Sequence, residues 1–160
     1  MNVCLIGYNL TNFIIALELI QKGFKVDILF EKKSLKIQTN RTIGISKSNF
    51  EYLASNLKNL LKYSWPITNI KVFNQKNNSN EFLEFSTQNK KSFFLIKYID
   101  LFNLSKKKCN KSNKIKFKEV KNKKIENLEI KNNYAFIVNS ENNNILTKKH
   151  FNKKIEKDYN

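Results

Sequence analysis

The first thirty residues consist of two short apolar runs separated by one amphipathic segment. Asn2–Gly7 (NVCLIG) ends in a glycine, and Lys25–Phe30 (KVDILF) is the second run. Both are typical of strands buried on both faces of a parallel sheet. Residues 10–20 place apolar side chains at helical spacing, and Gly23 follows as a C-terminal glycine. The order strand, helix, strand predicts a βαβ unit with parallel strands and a right-handed crossover.

The pattern after residue 30 is less regular. Residues 31–44 are predicted to be a polar connection, and a second helix is predicted to begin near Ser48, whose spacing to Glu51 matches a capping box. Pro66 prevents a continuation of this helix. The predicted apolar stripe of the helix consists of Phe50, Leu53, Leu57, Leu60 and Leu61.

The remaining chain predicts short strands, Lys- and Asn-rich turns and one short helix. That helix is predicted to be capped by Asp100 and to run through Lys108. Residues 77–80 predict a turn, and the tail after Asn142 shows no apolar pattern before Phe151. The predicted strands are Ile67–Phe73, Glu81–Phe85, Ser92–Tyr98, Ile115–Phe117, Ile125–Ile130 and Tyr134–Val138. Together the elements predict an α/β fold, a Rossmann-like βαβ unit with an added, largely antiparallel β-sheet.

Composition narrows the class of protein. The chain has 160 residues, and 30 Lys and Arg against 13 Asp and Glu give a formal net charge of +17. The two cysteines exclude a disulfide-rich secreted scaffold, and a single histidine counts against a histidine-based metal site or catalytic triad, so no metal site is predicted. Residues 4–20 are too short and too polar to span a bilayer and lack a cleavage site, which predicts a cytoplasmic protein.

The positive charge is carried almost entirely by lysine. Only one of the basic residues is an arginine, Arg41, whereas nucleic-acid readers usually rely on the planar fork of arginine. The surplus of lysine over arginine therefore counts against a nucleic-acid partner. Residues 1–60 carry 8 basic and 4 acidic side chains, whereas residues 61–160 carry 22 and 9. A basic second part would favour an anionic membrane surface, and a peripheral location at the inner membrane is a further expectation.

The turn after the first strand (GYNLTN, residues 7–12) lies where a dinucleotide fold carries G-x-G-x-x-G. Gly7 is the first glycine of that fingerprint. Asn9 and Asn12 stand at the second and third glycine positions. Asn9 can take a left-handed conformation, but its side chain intrudes where a phosphate would lie. Asn12 thickens the contact between helix and strand.

Two charged residues outside this turn are candidate cofactor ligands. Glu31 follows the second strand, where a carboxylate can accept both ribose hydroxyls of an adenosine, although it could also be an ordinary surface residue beside Lys32 and Lys33. Arg41 lies before the second helix, and its bidentate donor group suits a cofactor phosphate or ribityl chain. A chance arginine is the alternative. Neither residue identifies a catalytic group, and none is assigned.

With these residues in place, the chain resembles the N-terminal half of the FAD-dependent aromatic-ring monooxygenases, and most closely the ubiquinone-biosynthesis hydroxylases. The resemblance is specific over residues 2–55 and includes the βαβ unit, the acidic residue after strand two, and an Arg-x-x-x-Leu/Ile-Ser motif at residues 41–46. Residues 139–142 (NSEN) are the nearest equivalent of a later Asp-Gly motif of the family. The final Gly-Asp motif of the family has no counterpart.

The resemblance implies a function and a cofactor. The implied function is an FAD-dependent hydroxylase that uses NAD(P)H as reductant and acts on a polyprenyl phenol in ubiquinone biosynthesis, present here as a truncated or degenerate portion of the flavoprotein monooxygenase fold. Its cofactor-binding residues would be Gly7, Asn9, Asn12, Glu31 and Arg41. A contact with a ubiquinone-biosynthesis complex is a further expectation. The alternative is a non-catalytic basic protein that binds nucleic acid, an anionic membrane or a flavoprotein partner.

The resemblance also implies a domain organisation. Residues 1–160 would form one partial FAD-binding domain. Within it, residues 1–62 would be the dinucleotide-binding βαβ unit and the following helix, and residues 63–110 part of a substrate sheet with a short helix. Residues 111–160 would be a β-rich return to the cofactor domain and a basic tail.

Overall fold

A computed structural model describes residues 1–31, 41–73, 81–86, 93–120, 133–141 and 144–150. The chain divides into two compact units, each described separately below. The parallel unit comprises Met1–Ile37 and Ser105–Asn160, and the antiparallel unit comprises Gln38–Leu104.

Among the described residues, the sheet of the parallel unit has four strands, all parallel, in the order β8-β2-β1-β9. Two complete helices and the last part of α3 (Tyr98–Asn110) also belong to this unit. The strands are β1 (Asn2–Ile6), β2 (Lys25–Phe30), β8 (Ile115–Glu119) and β9 (Phe136–Asn139). The two complete helices are α1 (Leu10–Gln21) and α4 (Ile145–His150). The predicted βαβ unit is confirmed.

Helix α1 ends as its sequence predicts. Gly23 has a φ of +88°, a left-handed conformation that glycine adopts without steric penalty. The backbone N–H of Phe24 donates to the carbonyl of Leu19, and the N–H of Gly23 donates to the carbonyl of Ile20. These two bonds form a Schellman motif, which satisfies the last helical carbonyls and turns the chain into β2.

The core of the parallel unit lies on both faces of its sheet. Alternate residues of a strand point to opposite faces, and β1 is buried from Val3 through Ile6. On one face Cys4 and Ile6 belong to a cluster with Leu29 and Leu146. The other face is covered by α1, whose Phe13 lies edge-on against Phe117 of β8 with ring centroids 5.8 Å apart.

The antiparallel unit contains one three-stranded sheet, in the order β3-β7-β4, and one two-stranded sheet of β5 and β6. Helix α2 packs on the larger sheet, and its Phe50 stacks on Phe94 with ring centroids 3.7 Å apart. A 3-10 helix, Leu60–Tyr63, follows α2. The other elements are β3 (Thr42–Ser46), α2 (Lys47–Asn56), β4 (Ser64–Ile67), β5 (Asn69–Phe73), β6 (Glu81–Ser86) and β7 (Phe93–Lys97). The α/β class with an added antiparallel sheet is confirmed.

Two predictions fail at the start of the antiparallel unit. The polar connection predicted over residues 31–44 contains the beginning of β3, whose pattern is weakened because Gly44 stands at its centre. Helix α2 begins at Lys47 after Ser46, not at a cap on Ser48. The Ser46 side chain makes no capping hydrogen bond, and Ser46 Oγ lies 3.3 Å from Ser48 Oγ.

The helical stripe and the strand predicted next are both interrupted. Helix α2 ends before Leu57, and Asn59 has a φ of +69°, so the chain turns and Leu61 is 56% exposed instead of continuing the apolar stripe. The strand predicted over residues 67–73 is two strands, β4 and β5, which pair in different sheets. Pro66 lies within β4, an edge strand, where its missing N–H is tolerated.

Two further elements differ from expectation. Helix α3 begins at Tyr98, so Asp100 lies inside the first turn and does not cap the helix. A negative charge in the first turn interacts favourably with the helix dipole. Helix α4 carries the buried Leu146, although no apolar pattern was expected before Phe151. The helix was missed because its six residues are too few to show a helical period. The predicted turn at 77–80, the strand at 125–130 and Phe151 lie outside the described residues.

Candidate functional site

The strand order of the parallel unit reverses direction next to β1. The chain proceeds from β1 to β2 and then to β8 on one side, and it returns to the other side of β1 with β9. The order therefore reverses between β1 and β9. Open α/β sheets bind ligands at such a switch point, beyond the carboxyl ends of the strands. We call the space between the residues that follow β1 and β9 the switch-point crevice.

Gly7 forms the floor of the switch-point crevice. It follows β1 with a φ of +123°, a conformation that side-chain-bearing residues rarely adopt, and its N–H donates to the carbonyl of Leu29 at 2.8 Å. A Cβ added at Gly7 would lie 2.8 Å from Asn9 Nδ2, from Ser140 Oγ and from Glu141 Cγ. Only glycine fits here without a shift of these neighbours.

Asn9 and Asn12 hold the first turn of α1. Asn9 is the N-cap in extended conformation, with a φ of −146°, so the left-handed conformation that its type allows is not used. Its Oδ1 accepts from the backbone N–H of Asn12 at 3.0 Å. Asn12 Nδ2 donates to the carbonyl of Gly7 at 2.9 Å. Asn12 is fully buried, and among the described residues its Oδ1 has no hydrogen-bond partner.

The opposite wall of the switch-point crevice is the end of β9. The backbone N–H and the Oγ of Ser140 both donate to the carbonyl of Ile6, each at 3.1 Å. Asn9 Nδ2 donates to Ser140 Oγ at 2.7 Å and so connects the two walls. The Glu141 side chain lies against Gly7.

A network of polar side chains keeps the end of β9 in place. Asn139 Nδ2 donates to Thr147 Oγ1 at 2.8 Å, and Asn144 Nδ2 donates to Asn139 Oδ1 at 2.7 Å. Thr147 Oγ1 donates to the carbonyl of Glu141 at 2.6 Å, and its backbone N–H donates to Asn144 Oδ1 at 2.9 Å. These bonds link β9 to α4 and fix the chain that leads from Ser140 to Glu141.

An aromatic cluster lies beside the crevice at the end of β2. The Tyr8 ring is 4.8 Å from that of Phe30 and 5.2 Å from that of Phe13, measured between centroids. Lys106 Nζ lies 5.4 Å from the Tyr8 ring centroid, in cation–π distance. Glu31 follows β2 directly after Phe30 and is partly exposed. This end of the sheet therefore offers an aromatic surface, with the carboxylate-bearing Glu31 directly after β2.

The structure brings Gly7, Asn9 and Asn12 into direct contact and places Glu31 at the end of the neighbouring strand. Arg41 belongs to the antiparallel unit, where its side chain is exposed and its backbone carbonyl accepts from Tyr98 N–H at 2.8 Å. Ser140, Glu141 and Tyr8 were not among the predicted site residues. The segment 139–142 carried the one available signal, since it had been matched to the family's Asp-Gly motif.

Buried thiols in the parallel unit are unsuited to nucleophilic chemistry. Burial raises the pKa of Cys4 to about 12, and the Asp27 carboxylate contributes to the same shift. Burial likewise raises the pKa of Cys109 to about 12, and its Sγ lies 3.5 Å from the carbonyl of Phe13. Both thiols stay protonated near neutral pH. Within the described ranges, no three His, Cys, Asp or Glu residues are grouped so that they could hold a metal ion.

One ion pair and a tyrosine share the face of the sheet that carries Cys4. Asp27 Oδ2 accepts from Lys118 Nζ at 2.7 Å and from the Tyr134 hydroxyl at 2.8 Å. Desolvation, followed by the hydrogen bond to Asp27, raises the pKa of Tyr134 above its ordinary range. The arrangement ties β2 to β8 and to the residues before β9. None of the helices in the described part of the chain has the length and apolar character needed to cross a membrane.

Comparisons with known proteins identify the fold. No protein-family model and no curated protein sequence matches this chain. Among solved structures, PqsL from Pseudomonas aeruginosa, a probable FAD-dependent monooxygenase, aligns with a TM-score of 0.66 at 11% identity over 99% of this chain and 48% of its own. The p-nitrophenol 4-monooxygenase PnpA from Pseudomonas putida DLL-E4 aligns with a TM-score of 0.60 at 12% identity over 73% of this chain and 31% of its own.

CtdE, whose structure contains FAD and a substrate, aligns with a TM-score of 0.57 at 19% identity over 73% of this chain and 30% of its own. The chain thus has the fold of the FAD-dependent monooxygenases and spans less than half the length of these three proteins. The similarity is one of fold alone. It does not single out the ubiquinone-biosynthesis branch.

Proposed function

We propose that this chain is the dinucleotide-binding portion of an FAD-dependent aromatic-ring monooxygenase, with the adenosine and pyrophosphate of FAD at the switch-point crevice. The observation that carries the proposal is the strand order β8-β2-β1-β9, with a left-handed Gly7 at the end of the central strand. This is the topology and the position at which doubly wound sheets bind dinucleotides. The similarity in fold to FAD-dependent monooxygenases supports the choice of FAD.

The residues around the crevice suit the adenosine end of the cofactor. Glu31 follows β2 and would accept hydrogen bonds from the ribose hydroxyls, while the partly exposed Tyr8 ring would contact the adenine. The pyrophosphate would lie over Gly7 at the N-terminus of α1, where the first backbone N–H groups and the helix dipole favour an anion. Asn9 and Asn12 shape this end of the site.

The flavin, when bound, would supply the redox and oxygen chemistry, with NAD(P)H as the reductant. The chain itself would bind and orient the adenosine half of the cofactor. Within the class, we propose an electron-rich phenol as the substrate, and specifically a polyprenyl phenol of ubiquinone biosynthesis. The likeness of residues 2–55 to that branch supports this choice.

Titration of the purified chain into FAD, followed by quenching of flavin fluorescence, tests cofactor binding. Glu31→Gln removes a charged acceptor, so we expect at least about tenfold weaker binding. Glu51→Gln is the matched control, because Glu51 is an exposed carboxylate in the antiparallel unit and lies 3.7 Å from the exposed Lys47. Absence of quenching by the unmodified chain, or equal loss in both variants, would contradict the proposal.

A polyprenyl substrate would require contact with a membrane surface, and the net charge of +17 supports such a contact. Each lysine held near an anionic surface contributes roughly 1 kcal/mol. We therefore expect sedimentation with phosphatidylserine vesicles at low salt, release at higher salt, and no binding to phosphatidylcholine vesicles. Equal binding to both vesicles would contradict an electrostatic membrane contact and would leave FAD binding unaffected.

A further inference from the structure

We infer that Asn9 and Ser140 form a latch that closes the switch-point crevice in the free chain, and that a dinucleotide must open this latch to bind. The inference rests on the proposed function for the identity of the ligand. The closed state itself rests on contacts within the parallel unit. Asn9 Oδ1 accepts from Asn12 N–H at 3.0 Å, and Asn9 Nδ2 donates to Ser140 Oγ at 2.7 Å.

These two hydrogen bonds use both polar atoms of one short side chain. The first caps α1 locally, and the second reaches a residue 131 positions away in the sequence. The Asn9 side chain therefore spans from the wall formed by β1 and α1 to the wall formed by β9. A glycine at this position, as the dinucleotide fingerprint has, could make neither bond.

The wall formed by β9 is the fixed side of the latch. Ser140 is held by two hydrogen bonds to the carbonyl of Ile6, and Asn139 is held by Asn144 and Thr147. Opening must therefore come from rotation of the Asn9 side chain. Rotation breaks one hydrogen bond that is partly buried and gives up the cap on α1.

The latch occupies the space that a bound pyrophosphate would need. The Asn9 side chain stands at the second glycine position of the fingerprint, where the backbone would otherwise approach a pyrophosphate. Asn9 Nδ2, Ser140 Oγ and Glu141 Cγ each lie 2.8 Å from the position of a Cβ added at Gly7. A glycine in this turn normally allows a phosphate to approach the backbone closely. Here the side chains of Asn9, Ser140 and Glu141 lie in that place, so the closed latch and a bound pyrophosphate exclude one another.

The consequence is a lowered apparent affinity. A ligand that binds only the open state has its affinity reduced by the open fraction. Asn9→Gly removes the latch, and glycine remains an acceptable N-cap. We expect Asn9→Gly to bind FAD about fivefold or more tightly than the unmodified chain, the factor that corresponds to one net hydrogen bond. Ser140→Ala removes the bond but leaves the Asn9 side chain in place, so a gain of about twofold is expected.

The experiment is an FAD titration by fluorescence quenching with four proteins: the unmodified chain, Asn9→Gly, Ser140→Ala and the double variant. Asn69→Ala and Ser55→Ala are matched controls, since both residues are exposed and make single side-chain bonds in the antiparallel unit. Tighter binding by Asn9→Gly with unchanged controls supports the latch. Equal or weaker binding by a folded Asn9→Gly overturns it, even if the unmodified chain binds FAD as proposed.

A second measurement tests the closed state without any cofactor. In urea denaturation of the free chain, the shifts of the midpoint caused by Asn9→Gly and Ser140→Ala should be non-additive, because each variant removes the same bond. Additive shifts overturn the latch. If no variant binds FAD, the proposed function and the ligand of the latch are both overturned, while the denaturation cycle still decides whether the two side chains are coupled.

Discussion

The two units differ in how many faces of their sheets are covered. In the parallel unit, β1 is buried on both faces from Val3 through Ile6. In the antiparallel unit, β7 alternates: Phe94 and Ile96 are buried, whereas Phe93 and Leu95 are 39% and 38% exposed. Parallel sheets are normally covered on both sides, and antiparallel sheets can leave one side to solvent. The same α/β chain therefore contains one sheet whose central strand is buried on both faces and one sheet with an open face.

This difference explains where the candidate site lies. The enclosed sheet holds its strand ends in a fixed arrangement, so Gly7 and Ser140 meet at a defined distance although they are far apart in sequence. The open face of the antiparallel unit instead presents apolar side chains without such polar anchoring. Four predictions test this contrast.

The largest expected effect comes from truncating an aromatic side chain in the enclosed core. Phe13 is fully buried between the Tyr8 and Phe117 rings, so Phe13→Ala should lower the free energy of unfolding by about 3–5 kcal/mol. Phe73→Ala makes the same chemical change in β5, where Phe73 is 65% exposed, and should change the stability by about 0.5 kcal/mol or less. Urea denaturation followed by far-ultraviolet circular dichroism measures both, and equal losses would refute the contrast.

The second prediction concerns pH, because both thiols are in the enclosed unit. Cys4 and Cys109 have pKa values of about 12 in the folded chain against 9.0 for an ordinary thiol. A raised folded-state pKa gives a stabilisation that is complete below pH 9 and is lost as the pH rises toward 12. Each thiol should lower the free energy of unfolding by about 1.4 kcal/mol per pH unit in that window.

The double variant Cys4→Ala/Cys109→Ala isolates this contribution from the titration of lysines. Unfolding midpoints in urea at pH 7, 9 and 10.5 should fall more steeply for the unmodified chain than for the double variant. Parallel pH dependences would mean that the thiols are hydrated in the folded chain. That outcome would contradict the enclosure of both faces.

The third prediction concerns the charged group inside the enclosed unit. Asp27→Asn removes the carboxylate that accepts from Lys118 and Tyr134, and it should lower the stability by about 1–3 kcal/mol. The pKa of Tyr134 should fall toward its ordinary value without reaching it, because desolvation, the larger cause of its raised pKa, remains. Ultraviolet titration of the tyrosines in the variant and the unmodified chain measures this shift.

Glu84→Gln is the counterpart of Asp27→Asn in the antiparallel unit, because it neutralises an exposed carboxylate. Glu84 Oε1 accepts from Asn69 Nδ2 at 2.7 Å and lies 4.0 Å from Lys71 Nζ, with all three side chains at the surface. Exposed pairs of this kind contribute about 0–1 kcal/mol. A loss of stability from Glu84→Gln as large as that from Asp27→Asn would show that burial does not determine how much each carboxylate contributes.

The same contrast explains what could be predicted from the sequence. The ends of β1, α1 and β2 were predicted within about two residues, because strands buried on both faces are continuous apolar runs and α1 ends in a left-handed glycine. In the antiparallel unit, β3 was missed and β4 was partly merged with β5. Their strands are short, and only one face of the larger sheet carries a strong apolar pattern.

The candidate site likewise contains residues that local sequence patterns predict and residues that they do not. The positions of Gly7 and Glu31 at the ends of neighbouring strands could be predicted, because both belong to a local strand–turn–helix–strand pattern. The partner of Asn9 could not, because its contact with Ser140 depends on β9 pairing with β1 rather than with β8. The long-range strand order, which local patterns do not encode, determines this part of the site.

The smallest expected effect tests the open face directly. Trp65, the single tryptophan, lies on β4 opposite Leu95 and is 52% exposed. Its emission should be close to that of a hydrated indole and should be quenched by iodide. Trp65→Phe should change the free energy of unfolding by no more than about 0.5 kcal/mol, because little of the ring is removed from water. A blue-shifted emission that iodide does not quench would mean that this face is covered in solution, and the antiparallel unit would then be enclosed on both sides like the parallel one.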